Sequence, residues 1–285
     1  MSKDFQCGRF KLRFERPFVM GIVNVTPDSF SDGMQHYAAE QAIQHGLQLV
    51  QEGADILDIG GESTRPGADP VSEEEELRRI LPVIEGLKNC GVPLSIDTFK
   101  PGVMAAALDA GADMINDIYA LQQPGAMDVI AQYPQCGVCI MHMVGEPNTM
   151  QVSPPDYAGN VTQAVYDFLQ ERVKLMHEKG ISDNRIMIDP GFGLFGKTVQ
   201  QNYQLLANLS VFKHLQLPIL VGVSRKSMIG AVTGQDVHHR LPGSLSAGLA
   251  GVARGAEVLR VHDVWQTRNA VDVWQAIEQE SHYGS

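Results

Sequence analysis

Eight short, mostly apolar runs recur along the chain: FVMGIVNV (18–25), DILDIGG (55–61), PLSIDT (93–98), DMINDI (113–118), GVCIMHM (137–143), RIMIDP (185–190), PILVGV (218–223) and EVLRVHD (257–263). Runs that are apolar on both alternations suit strands buried on both faces, and such strands belong to parallel sheets. Parallel neighbours need a long crossover, which the intervening stretches supply with helical patterning. Ser72 and Glu75 read as a capping box opening the acidic turn of SEEEELRRI. In NVTQAVYDFLQERVKLMHEKG, residues Val161, Val165, Phe168, Leu169, Val173 and Met176 keep one apolar stripe until Gly180 stops the helix. Eight β-then-α units with no Pro/Gly-rich linker predict one α/β domain over residues 1–285, a single (β/α)8 TIM barrel rather than a doubly wound sheet. The opening FQCGRFKLRFERP alternates like a β-hairpin and is expected to plug the bottom of the barrel.

Charge narrows the partners. A formal net charge of −11 over 285 residues argues against nucleic acid and anionic membrane, which need a basic surface. The N-terminus MSKDFQCGRF has no apolar targeting core, and no run approaches the roughly 20 residues of a membrane span, so a cytoplasmic protein is expected. Cys136 and Cys139 form the one C-x-x-C among four cysteines, with no second pair to complete a zinc site, and read as reduced strand residues. GFGLFGKT (191–198) matches the phosphate-cradling pattern G-x-x-x-x-G-K-[ST], which raises the possibility of an ATPase.

In a TIM barrel the chemistry sits where the strands end, and each of these runs ends in polar residues. They are Asn24; Asp58 with Glu62, Ser63, Thr64 and Arg65; Asp97; Asn116 and Asp117; His142; Asp189; Ser224, Arg225 and Lys226; and Arg260 with His262. Any one alone is more simply a helix cap or turn residue, but eight together imply a ligand rich in hydrogen-bonding edges. The basic members follow the last two strands, where barrels bind phosphate. Asp97, Asn116 and Asp189 have the carboxylates and amide that would read a flat amino-oxo heterocycle. The expected ligand is therefore a guanine-like or pterin-like ring joined to a phosphate ester. Two polar loops, NVTPDSFSDG (24–33) and GESTRPGADP (61–70), are expected to close over it and to bring a carboxylate or amide to a metal.

MGIVNVTPDSFSDG, DIGGESTRPGA, SIDTFKP, MINDI, IDPGFG, VSRKSMIG and RVHDV, in this order from Met20 to Val264, closely resemble the dihydropteroate synthase family, the folate-pathway enzymes that sulfonamides inhibit. The resemblance implies transfer of the dihydropterin-methyl group from 6-hydroxymethyl-7,8-dihydropterin diphosphate to p-aminobenzoate, with Mg²⁺, release of diphosphate and a homodimeric state. It assigns the pterin to Asp97, Asn116, Asp189 and Lys226, and the diphosphate to Asn24, Thr64, Arg65, Arg260 and His262. Phe30, Thr64, Pro66, Phe195 and Ser227 fall to p-aminobenzoate, and Asn24 with Asp32 to the metal. Asp97, Asp189, Lys226, Arg260, His262 and Asp32 are the residues expected to carry catalysis. An arylamine is already nucleophilic, so the demand is on leaving-group departure, and an SN1-like substitution is expected.

The chain departs from the family at two places. The usual D-P-G-x-G-F-G-K reads DPGFGLFGK here, one residue longer, so either Leu194 or Phe195 is added; Met34 replaces a Gly common after SDG. The phosphate-loop match exists only through that added residue, and Lys197→Ala is expected to leave turnover largely intact. A pterin-dependent methyltransferase and a pterin carrier without turnover are the remaining alternatives.

Overall fold

The computed structural model describes residues 4–25, 32–62, 70–145 and 155–280, of which 32–37 by their backbone alone. All eight apolar runs form strands: β3 Phe18–Asn24, β4 Ile56–Gly60, β5 Leu94–Asp97, β6 Met114–Asp117, β7 Gly137–Met141, β8 Ile186–Asp189, β9 Leu220–Val221 and β10 Val258–Val261. They make one parallel sheet in the order β8-β7-β6-β5-β4-β3-β10-β9. Its two edges meet through a parallel bridge between Ile188 and Ile219, with Ile188 N–H donating to Pro218 O at 2.9 Å, which brings the sheet round into a barrel.

Successive side chains on a strand face opposite ways, and the two sets here do different work. Val19, Leu57, Ile59, Ile96, Ile115, Val138, Ile140, Ile186, Ile188 and Leu259 join the helices in the main core. Met20, Ile56, Met114, Cys139, Met187, Leu220 and Val258 instead pack with Phe5, Cys7 and Leu12 of the N-terminal hairpin, β1 Asp4–Cys7 and β2 Phe10–Arg13. The hairpin therefore fills the barrel from below. Its turn passes against Asp113: at Gly8, φ +57°, a Cβ would lie 2.3 Å from Asp113 Oδ1. Asp113 in return accepts from Arg9 N and Nε at 3.0 and 2.9 Å, from Arg9 Nη2 at 2.8 Å and from Leu94 N at 3.1 Å.

The outer ring comprises α1 Asp32–Gln51, α2 Glu73–Leu87, α3 Pro101–Ala110, α4 Ala126–Gln132, α5 Val161–Glu178, α6 Val199–Ala207, α7 Ser227–Thr233, α8 Leu241–Val252 and α9 Val264–Glu280. In α5 the predicted stripe is buried at Val161, Val165, Leu169, Val173 and Met176. Ser72 caps α2 by accepting from Glu75 N at 3.2 Å. The reciprocal half of the expected box gives way to stronger partners: the Glu75 carboxylate accepts from Arg78 Nε at 2.8 Å and Arg79 Nε at 2.7 Å.

Candidate active site

On four of the inward-facing alternations polar groups come two residues beyond the apolar layer. Ile56 is followed by Asp58, Met114 by Asn116, Met187 by Asp189 and Val258 by Arg260. The barrel's upper interior is thus charged because strand periodicity puts these positions there. Arg260 Nε donates to Asp58 Oδ2 at 2.5 Å, and its Nη2 donates to Asp97 Oδ2 at 2.7 Å. Asn116 Nδ2 donates to the same Asp58 Oδ2 at 3.1 Å. Asp58 is 0% and Asp97 7% exposed, yet among the described residues Asp58 Oδ1, Asp97 Oδ1 and Ser95 Oγ have no hydrogen-bond partner. Buried acceptors left open cost stability unless something donates to them, so this interior is shaped for a donor-rich ligand. Burial pushes the Asp97 carboxyl up to about 7, against the pull of Arg260.

Asp189 forms a second pole. Its Oδ1 accepts from Gly191 N at 2.7 Å, and burial raises its pKa while Lys226 opposes that rise. The tight turn is possible because residue 191 is glycine: φ is +77°, and a Cβ would lie 2.0 Å from His142 O. Lys226, the residue before α7, donates to the Phe192 carbonyl and lies 5.0 Å from the centre of the Phe195 ring. Burial lowers its ammonium to about 8. Phe195 is half-buried and packs with Ile118, Met141 and Met143, alongside Phe99 and Tyr119. Ser227 opens α7 beside Lys226. His262 accepts or donates through Nδ1 to Ser224 Oγ at 3.1 Å, and its backbone N–H donates to the same hydroxyl at 3.2 Å.

The GFGLFGKT segment is no phosphate cradle. Lys197 is 0% exposed, and its Nζ lies 2.9 Å from His142 Nδ1, 3.3 Å from His142 O and 3.5 Å from Phe195 O. A phosphate-loop lysine must reach its anion, and this one points into the protein. Thr198 is occupied as the cap of α6, in a capping box with Gln201. Lys197→Ala would strand these acceptors over a cavity, so its cost falls first on stability.

Asp97, Asn116, Asp189, Lys226 and Arg260, expected from sequence to work together, line one interior. Asn24 ends β3, exposed, in register with Gly60 of β4. Phe30, Thr64, Arg65 and Pro66 lie outside the described residues, as do the side chains of Asp32 and Met34. Asp58 stands in the sequence-predicted polar ring without a specific role, and its place two residues after Ile56 puts it in the same layer as Asn116. Among the described residues no group of three or more His, Cys, Asp or Glu gathers as a metal-ligand set, and no helix is long and apolar enough to cross a membrane.

A profile of the pterin binding enzyme family matches residues 20–262. The chain is 47% identical over 280 residues to the dihydropteroate synthase of Neisseria meningitidis serogroup B, covering 96% of this chain and 97% of that one. Among solved structures, it superposes on Xanthomonas albilineans dihydropteroate synthase with 4-aminobenzoic acid at a TM-score of 0.89 and 51% identity, covering 98% of this chain and 99% of that one. The Burkholderia cenocepacia enzyme complexed with 7,8-dihydropteroate gives a TM-score of 0.89 at 49% identity, covering 99% and 98%. A shared barrel, shared length and near-half identity leave one assignment: the chain belongs to the dihydropteroate synthase family of pterin-binding enzymes.

Proposed function

We propose that this enzyme transfers the 7,8-dihydropterin-6-ylmethyl group from 6-hydroxymethyl-7,8-dihydropterin diphosphate to p-aminobenzoate and releases diphosphate. The observation that carries the reading is the pair of buried, unpartnered acceptors Asp58 Oδ1 and Asp97 Oδ1 beside Asn116 and Asp189. A pterin presents adjacent ring and exocyclic N–H donors, and carboxylates are the groups that pair with them. Lys226 flanks the ring, and the half-buried Phe195 with Ser227 borders the acceptor site, completed by Phe30, Thr64 and Pro66. Sulfonamides, with the same arylamine outline, would compete there.

The substitution runs dissociatively. The methylene C–O bond breaks with its electrons leaving on diphosphate, the amine lone pair forms the C–N bond, and the nitrogen sheds one proton. Asp97 and Asp189 stabilise positive charge developing on the ring. Two of the five N–H groups of Arg260 are spent on Asp58 and Asp97; the others, with His262, Thr64 and Arg65, hold the departing anion. Asn24, exposed at the strand end, offers the hard amide oxygen that Mg²⁺ accepts when substrate phosphates complete its shell, with Asp32 as second ligand. Bound there, Mg²⁺ would neutralise leaving-group charge. Exposed Trp265, Val273 and Ile277 on α9 support a homodimer.

Diphosphate release requiring both substrates, and blocked by a sulfonamide, is the expected result. Pterin binding without release would make the protein a carrier; methyl transfer or ATP hydrolysis would replace the assignment altogether.

A further inference from the structure

Lys197 is a buried cation whose hydrogen-bonding partners carry no charge. Its three possible donors meet the imidazole Nδ1 of His142 and the carbonyls of His142 and Phe195. Burial lowers His142 to about 2, so its ring is neutral and Nδ1 is free to accept. A lysine in such a place is a costly filler, since its ammonium is desolvated with only neutral acceptors to offset the loss. What it does do is join two strand-end loops, the one after β7 that holds His142 and the one after β8 that holds Phe195.

The loop of residues 190–198 has its carbonyls taken in sequence. Lys226 takes that of Phe192; Lys197 takes that of Phe195; and Tyr157 OH donates to that of Gly196 at 2.7 Å. His142, the far post of the Lys197 tether, is itself wedged edge-on against Phe168 at 5.0 Å. One lysine, Lys197, thus holds the Phe195 carbonyl, and the other, Lys226, lies 5.0 Å from the centre of its ring. With Gly191, Gly193 and Gly196 all at positive φ, the backbone alone does little to fix where that ring points.

We infer that Lys197 is a positioning residue for the acceptor pocket: through His142 and the Phe195 carbonyl it fixes the Phe195 ring against Lys226. The inference rests on the reading above that Phe195 borders p-aminobenzoate. Lys197 is assigned above to neither substrate, and through Phe195 its influence should fall chiefly on the acceptor.

The test is a double-mutant cycle of Lys197→Met and Phe195→Ala, with kcat and both KM values measured at pH 7. Lys197→Met should raise KM for p-aminobenzoate about tenfold, the scale of one lost hydrogen-bonded tether, while KM for the pterin diphosphate stays within about twofold. The double variant should be no worse for p-aminobenzoate than Phe195→Ala alone. If Phe195→Ala raises that KM and Lys197→Met does not, the inference fails and the pocket reading stands. If Phe195→Ala leaves it unchanged, the pocket reading itself fails. Equal losses in both KM values, or additive effects in the double variant, would make Lys197 merely structural and overturn the inference. Should Lys197→Met not fold, Lys197→Gln is read by the same split.

Discussion

Arg260 Nη2 lies 2.7 Å from Asp97 Oδ2, and the same guanidinium holds Asp58 through Nε at 2.5 Å. One cation therefore keeps two buried carboxylates together in the barrel. Replacing it by a methionine leaves both acids uncompensated, a change that costs roughly 3–5 kcal/mol when one partner of a buried pair is removed. Arg260→Met should lower the melting temperature by on the order of 10 °C and reduce turnover at least about a hundredfold. The stability loss has a sign in pH: burial already holds Asp97 up to about 7 in the parent, and losing the opposing pull of Arg260 raises it further, so the deficit is greatest at alkaline pH and shrinks as pH falls towards 7. Thermal melts on the alkaline side of pH 7 check it, and a deficit independent of pH there would exclude Asp97 as its source.

Lys226 sets an alkaline limit on the free enzyme. Burial brings its ammonium to about 8, with Asp189 resisting the fall. Below that pH the cation is present; above it the charge beside the pterin site is lost. The kcat/KM for the pterin diphosphate, which reports free-enzyme groups, should decline above about pH 8, and Lys226→Met should flatten that limb at a lower plateau. Persistence of the same limb in the variant would assign it elsewhere.

Chemistry at the top and stability at the bottom of the barrel can be separated at Asp113. Its carboxylate collects Arg9 and the Leu94 amide, holding the hairpin under the strands. Asp113→Ala should cost about 2–4 kcal/mol, because buried donors lose a charged acceptor. Steady-state constants at 25 °C should match the parent, since the bottom face serves stability rather than catalysis. A selective rise in either KM would show that the hairpin communicates with the site.

The barrel was legible because burial on both faces forces each strand to be apolar, a requirement that survives in a single sequence. Asp97, Asn116, Asp189 and Arg260 were legible for the complementary reason: a polar side chain ending an apolar strand needs a partner. Asp58 belongs to the same ring, but its partners Arg260 and Asn116 were not legible, because in DILDIGG only its alternation with Ile56 tells inside from outside. The inward direction of Lys197 was not legible, because it follows a loop with three glycines at positive φ, and sequence shows glycine without showing which way the chain turns.

Lys197 also predicts how stability depends on pH, independently of catalysis. Burial pulls its ammonium from the usual lysine value to about 7 in the folded protein. Between about pH 7 and pH 10 the unfolded chain then holds one more proton at this position than the folded one, so stability contributed here rises with pH. Relative to Lys197→Met, the parent should be at its greatest disadvantage near pH 6. It should recover by up to about 1.4 kcal/mol per pH unit across the window. Urea unfolding of both proteins at pH 6, 7.5 and 9 measures the difference directly, with groups common to both cancelling. A gap that stays constant would mean that the ammonium keeps its charge throughout, held by the three acceptors more strongly than burial disfavours it.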